Sequence, residues 1–125
     1  MPMEFRTKVE LPVGQGEIRH SDPILLWGSC FAENIGKLLT DNKFHCDVNP
    51  FGILYNPLSI AKSVSLLLDN KVYSAVDLRF DKGIWYSLMH HSSFSSADQS
   101  ECLEKINFRM AKGREMLGKA KWMIF

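Results

Sequence analysis

Two rhythms of apolar and polar positions divide the chain. Ile24-Leu25-Leu26-Trp27 runs apolar without interruption after Pro23, as a parallel strand covered on both faces does. After Ser29 the period lengthens: Phe31, Ile35, Leu38 and Leu39 form one helical stripe, with Glu33, Asn34 and Lys37 off it, and the helix ends near Asp41-Asn42. Phe44, Cys46 and Val48 then alternate with His45 and Asp47, predicting a second short strand before the breaker-rich turn Asn49-Pro50-Phe51-Gly52. Strand, helix and strand make a βαβ unit.

Asn56-Pro57 places an N-cap before a residue suited to the first helical turn, and Leu58, Ala61, Val64, Leu67 and Leu68 continue the helical period to Asp69-Asn70. Val76–Phe80 and Ile84–Leu88 flank Asp81-Lys82-Gly83, which reads as a β-hairpin with a three-residue connection, inserted within residues 71–95. A capping box from Ser96 to Gln99 opens a long third helix with Cys102, Ile106, Met110 and Leu117 on one face. Lys121–Phe125 resembles another buried parallel strand. Before Pro23, residues 1–22 read as an arm in which only Val9, Leu11 and Val13 alternate as an edge strand would.

These elements predict an α/β domain: a three-layer, flavodoxin-like, doubly wound parallel sheet with helices on both faces and a hairpin insertion. The last strand has no turn or helix after it to cover it. The expectation is therefore the N-terminal portion of a single domain, truncated after its third core strand, with an exposed edge at residues 121–125 available for self-association.

The charge balance narrows the partners. Fifteen basic and fourteen acidic residues leave a net charge of +1, so no broad field recommends a nucleic acid or an anionic membrane. No apolar run is long enough to span a bilayer, and the start lacks a signal-peptide core, so the cytoplasm is the expected compartment. Cys30, Cys46 and Cys102 are odd in number and widely spaced, which suits reduced thiols. Neither His45-Cys46 nor His90-His91 has zinc-ligand spacing, and no metal or other cofactor is expected.

The candidate chemistry lies at Gly28-Ser29. A strand leaving the sheet at Gly28 would put the Ser29 hydroxyl at a helix N-terminus, among unpaired backbone N–H groups and at the ligand-binding edge of an open α/β sheet. Ser29 is equally well explained as a helix N-cap, and Gly28 and Gly52 as turn glycines. Cys30 reads as a small buried hydrophobe rather than a thiol nucleophile.

Gly28-Ser29-Cys30-Phe31-Ala32, continued by Glu33-Asn34-Ile35-Gly36 and by Asn49 through Pro57, resembles the N-terminal half of the GSCFA family. That family is similar to the SGNH, or GDSL-like, hydrolases. The resemblance implies that Ser29 is the nucleophile and that Gly52 supplies an oxyanion-hole N–H. It also implies that the oxyanion Asn and the activating Asp-x-x-His pair lie beyond Phe125. His90 and Asn49 are candidate substrate contacts, and His90 or His91 could serve as a surrogate base. The implied substrate is an O-acyl ester, of a small molecule or a carbohydrate. A non-catalytic flavodoxin-like module holding phosphate or another anion at the helix N-terminus is the alternative.

Overall fold

The computed structural model describes residues 3–14 and 16–125, so the arm's Met1, Pro2 and Gln15 lie outside it. Three parallel strands form the centre: β1 (Ile24–Leu26), β2 (Cys46–Val48) and β5 (Trp122–Ile124), in the order β2-β1-β5. Helix α1 (Cys30–Asp41) joins β1 to β2. The return to β5 carries α2 (Pro57–Leu68), the antiparallel pair β3 (Arg79–Asp81) and β4 (Ile84–Tyr86), and α3 (Gln99–Lys119).

The chain therefore builds outward from β1 on one side and comes back to it on the other. Register places Leu26 beside Val48 and Leu25 beside Asp47. Val48 meets Gly36 of α1, whereas Asp47 meets Arg109 of α3, so the helices cover opposite faces of the sheet. β1 carries no exposed residue because both faces are occupied. Its Leu25 joins Trp27, Phe51, Leu67, Ile106 and Met110 in the main core.

The helices sit where expected but turn different faces inward. In α1 the buried residues are Ala32 and Gly36, with Phe31 and Leu38 exposed. A Cβ on Gly36 would overlap Val48 Cγ2, so the absent side chain sets the approach of helix to sheet. Gly36→Ala is expected to cost about 1–3 kcal/mol by overpacking. Val48→Ala should recover part of that loss, as read by urea unfolding of the two single variants and the pair. In α2 the buried pair is Ser63 and Leu67, and Leu58 and Leu68 face solvent. Asn56 caps α2 as predicted, its side chain accepting from the Leu58 N–H at 2.8 Å.

Four other expectations change. Val9, Leu11 and Val13 are exposed and belong to no strand, having no partner edge. Asp47 points into the protein because Arg109 is there to meet it, with Nη1 at 3.0 Å and Nη2 at 2.6 Å from its two oxygens. The hairpin connection is Lys82-Gly83, with φ of 49° and 79°, the primed turn that suits strand twist. Val76 consequently falls in a 3-10 turn, Ala75–Asp77, outside the hairpin. The α3 cap is Asp98, whose carboxylate accepts from the Ser100 and Glu101 N–H groups. Ser96 instead pairs its backbone with Trp85.

The segment leading to the hairpin is tied to α3 by one side chain. Asn107 Oδ1 accepts from the Tyr73 N–H at 2.8 Å, and its Nδ2 donates to the Tyr73 carbonyl at 2.9 Å. No helix among the described residues is long and apolar enough to cross a membrane.

Candidate functional site

All three parallel strands point their carboxyl ends toward the Gly28-Ser29 junction. The Trp27 N–H donates to the Ile124 carbonyl at 2.8 Å, carrying the β1–β5 pairing one residue past the strand. Gly28 then turns at a φ of +146°, a conformation that side chains resist, and it is this angle rather than crowding that requires glycine. Ser29 follows as the N-cap of α1: its Oγ accepts from the Phe31 N–H at 3.3 Å, and its carbonyl accepts from the Glu33 N–H at 3.3 Å. The Ser29 and Cys30 N–H groups have no protein partner among the described residues. Both expected readings of Ser29 thus share one geometry, a helix cap whose half-buried hydroxyl stands beside unpaired donors.

Asn49, a candidate substrate contact, is buried, with both ends of its amide engaged. Its Oδ1 accepts from the Gly28 N–H at 2.8 Å, and its Nδ2 donates to Glu33 Oε1 at 3.0 Å. It also holds the left-handed φ of 49° that an asparagine tolerates. Asn49 therefore ties the Trp27–Gly28 peptide to α1 through Glu33. Glu33 is the residue the sequence reading missed. Its position four residues after Ser29, on the same helical face, was the available signal.

Gly52 lies close to the junction, because the Leu54 N–H donates to the Gly28 carbonyl at 3.0 Å. Its φ is +80°, and a Cβ there would overlap that of His91, so both angle and space require glycine. The Gly52 N–H donates to the Asn49 carbonyl at 2.9 Å, closing the Asn49-Pro50-Phe51-Gly52 turn.

His90 is buried. Its ring stacks on Phe51 with centroids 4.5 Å apart, and Tyr73 and Phe94 meet it at 5.0 and 5.1 Å. Nδ1 is 2.8 Å from Ser87 Oγ, and Nε2 has no partner among the described residues. Burial pushes its pKa down to about 4, so the ring is neutral near pH 7. Ser87 and His90 form a serine–histidine contact, but a base of that pKa activates a hydroxyl weakly, and Ser87 Oγ also accepts from the Met89 N–H. His91 is exposed and caps the 3-10 turn Ser92–Phe94. Neither histidine bonds to Ser29.

Among the described residues no group of three His, Cys, Asp or Glu side chains is placed to hold a metal ion. Cys30 is exposed, whereas Cys102 is buried and burial raises its thiol pKa. A family model then decides the relationship: the GSCFA family model matches residues 23–125, from the entry into β1 through all five strands. The chain belongs to the GSCFA family. Comparison with curated proteins and with solved structures gave no match. In this GSCFA chain the five naming residues, Gly28 to Ala32, are the turn, the cap and the first helical residues of α1.

Proposed function

We propose that this GSCFA chain carries the nucleophile and part of the oxyanion hole of an SGNH-like serine hydrolase or acyltransferase acting on an O-acyl ester, such as that of a carbohydrate. The observation that carries the reading is the placement of Ser29 at the carboxyl end of the central strand, where chain order reverses between β2 and β5. Open α/β sheets bind ligands at such a switch point, and the β2-β1-β5 order suits a doubly wound, flavodoxin-like sheet. On this reading the unpaired Ser29 N–H supplies the first donor for a tetrahedral oxyanion, and the Gly52 N–H, which donates to the Asn49 carbonyl in this structure, is assigned as the second.

Among the described residues Ser29 Oγ has only the Phe31 N–H as its partner, which leaves the hydroxyl unactivated. The base and its orienting carboxylate come, on this reading, from an Asp-x-x-His segment C-terminal to Phe125. Residues 1–125 alone are expected to hydrolyse p-nitrophenyl acetate no faster than buffer. Protein extended through an Asp-x-x-His segment is expected to turn it over in a Ser29-dependent way. An extended Ser29→Ala variant with an undiminished rate would overturn the assignment, and saturable phosphate binding without ester turnover would replace it with the anion-binding module.

A further inference from the structure

The Phe51–Gly52 peptide is held at both ends. Its carbonyl accepts from the His91 N–H at 2.9 Å, and its N–H donates to the Asn49 carbonyl at 2.9 Å. A peptide unit is planar, so the group accepting from the hairpin end and the proposed oxyanion donor turn together. We propose that the hairpin end is a latch on this peptide, keeping the Gly52 N–H inside its turn and making the second oxyanion donor available only when the latch opens. The inference rests on the reading of Gly52 as a donor, and it says how that donor is controlled.

Three contacts build the latch. The His90 ring lies on Phe51, and its Nδ1 is secured by Ser87 at 2.8 Å, so the aromatic ring preceding the peptide cannot swing while the hairpin end stays in place. His91 grips the carbonyl through its backbone and is itself fixed as the cap of the following turn, Nδ1 accepting from the Ser93 N–H at 3.2 Å. Gly52 packs so closely on His91 that a Cβ would overlap it, so the hairpin end and the Gly52 backbone are in direct contact. Once the hairpin lifts, glycine at φ +80° is the residue best able to take a new pair of dihedrals. Resting and donating states then differ by rotation of one peptide, and the control point is His91 rather than Ser29.

His91→Pro tests this. The native φ of −59° and ψ of 152° suit proline, and the substitution deletes the N–H that holds the Phe51 carbonyl. Amide exchange at Gly52, followed by NMR, is expected to quicken about tenfold or more in His91→Pro. In His91→Ala, which keeps the N–H and loses only the cap on the Ser93 N–H, it should quicken less than in His91→Pro. Equal Gly52 exchange in His91→Pro and the unaltered chain would overturn the latch. Should His91→Pro fail to fold, couplings across the two hydrogen bonds of the unaltered chain decide. Signals linking His91 N to Phe51 C′ and Gly52 N to Asn49 C′ support the latch, and loss of either overturns it. Phenylboronic acid, a probe that forms a tetrahedral adduct with a serine hydroxyl, separates the two claims. If Gly52 exchange quickens in His91→Pro but a boronate adduct at Ser29, verified by boron NMR, leaves the Gly52 amide resonance unmoved, the latch stands and the oxyanion assignment of Gly52 falls.

Discussion

Asp47→Ala is expected to lower stability by about 3 kcal/mol, a large share of what a domain of this size has to lose. Both carboxylate oxygens of Asp47 are committed to Arg109, and Arg109 Nη2 also donates to the Val48 carbonyl at 2.8 Å. The pair is largely shielded, with side-chain exposures of 5% for Asp47 and 19% for Arg109. Removing the acid strands a guanidinium between β2 and α3, and the penalty is that of an unmatched charge rather than the net worth of the pair. Asp47→Ala with Arg109→Met, which removes both charges, should therefore recover much of the loss. Urea unfolding of the two variants checks this, and a double variant no more stable than Asp47→Ala would sink the account.

Stability is expected to fall by about 3 kcal/mol as pH drops from about 6.5 to about 4, on account of His90 alone. Burial holds its folded pKa at about 4 against an ordinary 6.5, so across this window the unfolded chain binds a proton that the folded chain refuses. The contribution is fully present above the unfolded pKa, and the loss is complete below the folded one. Asp22 and Asp77, whose pKa values are lowered first by backbone hydrogen bonds from Arg19 and Ser74, lose their contribution only at more acid pH. His90→Phe keeps an aromatic ring against Phe51 and removes the titration. Its unfolding free energy should be flatter between pH 6.5 and 4 than that of the unaltered chain, and an unchanged slope would show that His90 is not the source.

The sequence reveals the strands and helices of the sheet because their apolar periods are strong and their ends are punctuated by Gly28, Asn56-Pro57 and Gly52. It does not reveal which side of α1 or α2 faces inward. The deciding residues there are Ala32, Gly36 and Ser63, whose smallness rather than apolarity brings the helices close. The setting of Ser29 is legible because a strand-to-helix turn is local. The brace from Asn49 is not, because its partner is a backbone N–H 21 residues away. Asp47 reads as an outward strand residue until Arg109, 62 positions later, is brought against it. His90 fails for the same reason: its aromatic surroundings come from Phe51, Tyr73 and Phe94, which no short window contains together.

Asn107 bears on how separable the hairpin is. With its amide pairing both backbone groups of Tyr73, one side chain of α3 does the work of a neighbouring strand at the doorway to residues 75–94. The insertion is consequently not a module that can be lifted out by cutting at its two ends. Grafted onto another scaffold without an equivalent of Asn107, it would arrive with an unsatisfied donor and acceptor at its hinge. Shortened so as to lose Tyr73, it would leave the Asn107 amide without these two partners.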